Sequence, residues 1–154
     1  MAQIPPDQVT FEIVIDADLE SVIESRLVSY NQNHASLLEQ NHDAQFAYAP
    51  LNIFVFDEAR KLVGGLIGRT HAIRSWLEVT VLWVDEDHRG TGIGRRLMEQ
   101  AETEARHRGC LYARLASSNY QAPAFYVSLG YWEYGRLENC PPGEVAFYFC
   151  KTLS

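Results

Sequence analysis

Apolar and polar positions change rhythm along this chain. Residues 9–16 alternate with period two (Val9, Phe11, Ile13 and Ile15 on one face), which predicts a strand. Asp16 or Asp18 can cap the helix that follows, where Leu19, Ile23, Leu27 and Tyr30 recur at helical spacing. Residues 31–50 turn polar, with room for a short helix near residues 35–40 and then a loop; loops on a rigid scaffold usually carry specificity. Residues 52–56 and 61–69 read as a hairpin turning at residues 57–60. Gly64, Gly65 and Gly68 weaken the return strand and mark a bend or a close backbone approach. Residues 76–84 form a buried apolar strand. Residues 91–108 form an amphipathic helix, with Ile93, Leu97, Ala101 and Ala105 inward and Gly109 as its stop. Residues 111–116 predict a strand and residues 123–129 a short helix ending at Gly130. Residues 131–136 and 145–151 read as a closing antiparallel pair joined through Pro141-Pro142-Gly143. The pattern is α/β, a mixed, mostly antiparallel twisted sheet flanked by helices. No repeat or linker divides the chain, so residues 1–154 are read as a single domain.

The densest chemical signal is the run Val84-Asp85-Glu86-Asp87-His88-Arg89-Gly90-Thr91-Gly92-Ile93-Gly94-Arg95-Arg96-Leu97. An apolar strand enters an acidic loop, three alternating glycines follow, and a helix starts on them. A helix N-terminus leaves its first N–H groups unpaired and carries partial positive charge, so it favours phosphate. Glycines at 90, 92 and 94 let the backbone approach a bulky anion, and Arg89 and Arg95 add mobile charge. No lysine follows the glycines, as a P-loop would require, and Gly-x-Gly-x-Gly in mid-chain is not a dinucleotide fingerprint. The residues read as a pyrophosphate seat.

The pattern Arg-x-x-Gly-x-Gly after a strand ending in valine resembles the coenzyme A loop of the GNAT N-acetyltransferase superfamily. A second block, Asn119-Tyr120-Gln121-Ala122-Pro123-Ala124-Phe125-Tyr126 through Gly130-Tyr131, is similar to the other half of that superfamily's signature. The two blocks and their surroundings cover most of residues 53–150. The resemblance implies the GNAT fold, with the order β-α-α-β-β-β-α-β-α-β-β, and acetyl-CoA as cosubstrate. It implies that Leu82, Trp83 and Val84 pair with the pantetheine arm where two parallel strands splay, with Val84 or a neighbour turning an N–H to the thioester oxygen. Arg89, Gly90, Thr91, Gly92, Ile93, Gly94 and Arg95 would wrap the pyrophosphate, Asn119 matches the asparagine that hydrogen-bonds the coenzyme arm, and Ala122 and Phe125 would be further coenzyme contacts. Tyr126 matches the tyrosine that protonates the departing thiolate. Family members often carry a catalytic glutamate on the strand before the loop. By period two, Glu78, Thr80, Leu82 and Val84 share one face, so Glu78 is expected to face the cleft and take the amine proton through a water; the alternative for Thr80 is only to order water. His34 and His42 are further candidates for the base.

The activity implied is transfer of an acetyl group to a primary amine of a small molecule by direct attack. Two alternatives stand beside it: acetylation of a peptide or protein amino group, and a non-catalytic acyl-CoA-binding module. Composition narrows the picture further. A formal charge of −7 disfavours nucleic acid and could attract a cationic acceptor. Three widely spaced cysteines argue against a disulfide framework or a metal site. No apolar run approaches the roughly 18 to 20 residues of a membrane span, and the N-terminus does not read as a signal peptide, so a cytoplasmic protein is expected. The aromatic run Phe147-Tyr148-Phe149 is a candidate for pairing with a second copy across a dimer axis.

Overall fold

The computed structural model describes residues 10–34 and 47–153. The chain forms two compact units, residues 1–42 and 43–154. In the first, Asp16 caps helix α1 (Ala17–Gln32), its Oδ1 accepting from the N–H groups of Asp18 and Leu19 at 3.0 Å. The strand expected at residues 9–16 does not form among the described residues: residues 10–16 carry no regular structure, and Phe11, Ile13 and Ile15 are exposed. Alternation fits a residue to a strand, but a strand also needs a hydrogen-bonded neighbour, and none of the described strands pairs with this segment. Val9 and the short helix expected near residues 35–40 lie outside the described residues.

The second unit is a six-stranded sheet in the order β1-β2-β3-β4-β6-β5. Its strands are β1 (Ala49–Phe56), β2 (Leu62–His71), β3 (Trp76–Val84), β4 (Tyr112–Ser118), β5 (Trp132–Glu138) and β6 (Val145–Thr152). Only β3 and β4 run parallel; helix α2 (Ile93–His107) connects them, and α3 (Pro123–Ser128) follows β4. One apolar face of α2 drives the assembly. Leu97, Met98, Ala101 and Ala105 are buried against Leu66, Leu77, Val79 and Leu115 from three strands. The strand β6 lies between β4 and β5, so both of its edges are used. The aromatic run therefore cannot pair with a second copy as expected; the outer strands are β1 and β5.

Two irregularities shape the centre of this sheet. The parallel pairing ends at Val79 opposite Leu115, after which β3 and β4 part. On its other side β3 carries a bulge: Gly68 pairs with Val79 and Ile67 with Val81, leaving Thr80 as the extra residue. The extra residue reverses the alternation. Leu77 and Val79 face α2 before it, while Leu82 and Val84 pack toward the same core after it. Glycine makes the bulge possible, because a Cβ on Gly68 would lie 2.8 Å from the Glu78 carbonyl oxygen. Gly68→Ala is expected to lower stability by about 1–3 kcal/mol, the usual cost of overpacking. Urea unfolding checks this; an unchanged midpoint would mean the β2–β3 pair opens freely at the bulge.

Candidate coenzyme and acetyl-transfer site

Beyond Val84 the chain makes one turn of 3₁₀ helix (Glu86–His88), capped by Asp85 Oδ1, which accepts from Asp87 N–H at 3.1 Å. Arg89 closes this turn by donating from Nε to the Val84 carbonyl at 3.1 Å. Thr91 Oγ1 donates to the His88 carbonyl at 2.6 Å. Gly90 and Gly92 then adopt φ of +75° and +89°, where side chains are strained. Gly92 is the N-cap of α2, and no side chain caps the helix there. A Cβ at either glycine would meet nothing within 4 Å. Open space in front of an uncapped helix start, with Arg95 beside it, fits a pyrophosphate.

The loop opens into a cavity of about 810 Å³ that occupies the gap between the parted strands. Leu82, Trp83 and Val84 line it from β3, as expected, and Ala116 lines it from β4. Gly90, Gly92, Ile93, Gly94 and the two arginines, Arg89 and Arg95, line the loop end. Ala122, Phe125 and Tyr126 line the α3 side. Phe125 is seated by Gly94, whose absent side chain would lie 3.4 Å from the ring. Three predicted residues are not part of this lining. Thr91 supports the turn. Asn119 is clamped to β6, its Oδ1 accepting from Val145 N–H at 3.1 Å and its own N–H donating to the Val145 carbonyl at 3.0 Å. Glu78 is the third. The bulge turns it to the sheet face opposite Leu82 and Val84, where Arg69 and Arg114 hold it. Thr80, Val81, Tyr120 and Gln121 also line the cavity. Tyr120 and Gln121 fall inside the second motif, and that adjacency was the signal for them.

Tyr126 is packed between aromatic rings, 5.2 Å from Phe125, 6.1 Å from Tyr131 and 6.0 Å from Phe149. Burial pushes its phenol above the usual range, which keeps it protonated. The Tyr131 N–H donates to the Tyr126 carbonyl at 3.1 Å. Tyr131 is itself anchored: its OH donates to buried Glu102 at 3.0 Å, and Lys151 donates to the other oxygen of that carboxylate at 2.7 Å. Burial and the Glu102 charge together raise the Tyr131 phenol. Burial also raises the thiols of Cys110 and Cys150, so neither is a ready thiolate.

No carboxylate is among the described residues that line the cavity, and its charged lining is basic. The acidic guide for a cationic acceptor, expected from the overall charge, is thus not present in that lining. Among the other candidate bases, His34 stacks on Tyr30 within the first unit and His42 lies outside the described residues. No cluster able to hold a metal ion occurs among the described residues, and no described helix is long and apolar enough to cross a membrane.

A fold with two splayed parallel strands, a glycine-lined helix start and a tyrosine across the gap defines a class of acyl-CoA-dependent transferase. Similarity to known proteins points the same way. The chain belongs to the GNAT acetyltransferase family, whose model matches residues 19–131. It is 34% identical over 131 residues to the acetyltransferase Atu2258 of Agrobacterium fabrum, covering 85% of this chain and 88% of that one. It is 39% identical over 97 residues to the blasticidin-S acetyltransferase of Streptomyces morookaense, covering 62% of this chain and 70% of the relative. A crystal structure of an acetyltransferase from Bacillus cereus superposes with a TM-score of 0.76 at 29% identity, over 95% of this chain and 99% of that one. The chain is an N-acetyltransferase, and acetyl-CoA is its acetyl donor.

Two outcomes follow from this geometry. Gly92→Val should weaken coenzyme A binding by at least about tenfold, because it forces a branched side chain into a left-handed backbone at the helix start; calorimetry showing unchanged affinity would remove the loop from coenzyme binding. The second concerns Glu78. Burial alone would raise its carboxyl, but Arg69 and Arg114 outweigh it and hold the pKa below the ordinary value. The stability this supplies is full above the unfolded carboxylate pKa of about 4.3 and is lost as pH falls through the lower folded value. Urea midpoints of wild type and Glu78→Gln should therefore converge on acidification; a gap independent of pH would contradict the ion-pair account.

Proposed function

We propose that this enzyme moves the acetyl group of acetyl-CoA to the primary amine of a small molecule by direct attack, without a covalent enzyme intermediate. The observation that carries this reading is a single cavity joining the uncapped N-terminus of α2 to the phenol side of α3 through the gap between β3 and β4. The loop residues from Arg89 to Arg95 hold the diphosphate. After Val79 the edge of β3 that faces β4 has lost its strand partner, and it can hydrogen-bond the amide-bearing arm as an added strand and polarise the thioester carbonyl. The amine nitrogen attacks that carbonyl; a C–N bond forms, the C–S bond breaks, and Tyr126 gives its proton to the departing thiolate. The nitrogen's extra proton goes to water, and Tyr126 is reprotonated from solvent. Support for a small-molecule acceptor comes from likeness to a relative that acetylates blasticidin S.

With no carboxylate in the described lining, the acceptor is attacked as its neutral amine, and Glu78 serves charge and structure instead of proton transfer. Tyr126→Phe should lower kcat by roughly 10²–10⁴ and leave acetyl-CoA affinity nearly unchanged, the pattern for loss of a general acid. The rate should climb with pH until the acceptor amine is deprotonated, with no fall from Tyr126 ionisation below about pH 10. Steady-state kinetics with a turned-over amine checks both. Wild-type kcat in Tyr126→Phe, with chemistry rate-limiting, would dismiss the tyrosine.

A further inference from the structure

The face of the sheet turned away from α2 carries a second chemical feature. Register sets one row of side chains straight across it: Arg69 stands opposite Glu78, Glu78 opposite Arg114, and Arg114 opposite Cys150. Arg69 reaches Glu78 Oε2 from Nε at 2.7 Å and from Nη2 at 2.6 Å, while Arg114 Nη2 reaches Oε1 at 2.6 Å. Each guanidinium is stacked on a ring, Arg69 at 4.1 Å over Tyr48 and Arg114 at 3.9 Å over Trp76; Arg74 lies 5.3 Å over the same Trp76. Two guanidiniums thus share one carboxylate, and positive charge is left over.

That surplus is outermost. The Glu78 side chain is 18% exposed, against 45% for Arg69 and 31% for Arg114. Stacking fixes both planar forks, and Glu78 occupies only part of their donor set, so the free N–H edges are preorganised for a second anion. The position is as informative as the charge. Glu78 and Arg114 form the row just before the final β3–β4 pair, Val79 with Leu115. Past that pair the strands part, and the cavity reaches this same face at Val81, Trp83 and Ala116.

We propose that Arg69 and Arg114 bind a carboxylate of the acceptor, so that the substrate is an aminocarboxylate whose amine enters the gap. This rests on the acetyl-transfer reading above. It also sets a length. Arg114 and Ala116 are two strand residues apart, about 6.7 Å along the sheet, so the amine nitrogen and the carboxylate carbon should be separated by about four or five bonds.

The test uses the full chain with acetyl-CoA and the ω-amino acids from glycine to 6-aminohexanoate, each paired with its primary amide and followed by thiol release. The expected result is an optimum at 4-aminobutyrate or 5-aminopentanoate, with kcat/KM at least tenfold above the matching amide. Arg69→Gln and Arg114→Gln should bring that ratio close to one, with coenzyme A affinity unchanged by calorimetry as the folding control. Equal rates for acids and amides would overturn the proposal. Calorimetry of 4-aminobutyrate on coenzyme A-saturated protein gives an arm independent of turnover: binding that Arg114→Gln abolishes supports the site, and no binding by wild type overturns it. Binding without turnover of any amine would defeat the acetyl-transfer reading and leave the carboxylate site standing.

Discussion

The parallel contact between β3 and β4 ends after Val79 and Leu115, and the site depends on that ending. A continued ladder would use the backbone groups of Leu82 to Val84 within the sheet and close the cavity. Opening the ladder inside a sheet is costly unless the exposed backbone finds other partners. Two features hold it open. On one side the Thr80 bulge keeps β3 paired to β2 while turning its path. On the other, β4 stays paired to β6 as far as Ser118 opposite Ala146, so it does not follow β3. The unpaired edges are then available to an amide-bearing ligand, which is what the pantetheine arm offers.

The bulge also explains which inferences reached the structure and which did not. The glycine turn into α2 and the short helix that carries Tyr126 were legible because their signals are local. A positive φ at Gly90 and Gly92 needs glycine whatever surrounds it, and the hydrophobic spacing of Leu97, Ala101 and Ala105 fixes which face α2 buries. Glu78 was misplaced because period-two parity assumes an unbroken strand, and one inserted residue sends every later side chain to the other face. A trace of the bulge was present: Gly68 was recognisable as a site of close backbone approach, and it sits against the Glu78 carbonyl. What could not be read from one strand was which partner position that approach would displace.

The alternation at residues 10–16 and the position of Asn119 were hard to read for a related reason. Both depend on a neighbour distant in sequence. Phe11, Ile13 and Ile15 fit a strand in composition, but strand formation is decided by pairing. Asn119 stands in the expected motif, yet Val145, which lies on another strand, engages both its side-chain oxygen and its backbone N–H. Local signals transfer well from sequence to structure when the backbone itself makes the demand. They transfer poorly when a distant partner does.

Charge shows the same division between global and local. A chain of net charge −7 suggests a preference for cations, yet both the cavity lining and the opposite face of the sheet carry arginine pairs. At the glycine loop Arg89 and Arg95 flank a helix start that is itself partially positive. On the opposite face stacking holds Arg69 and Arg114 around a single carboxylate. Screening limits the reach of distant surface charge to about 8–10 Å, so a bound group responds to what lies within that radius. Net charge therefore describes how the whole protein behaves in solution, and the arrangement of a few guanidiniums decides what sits against the sheet.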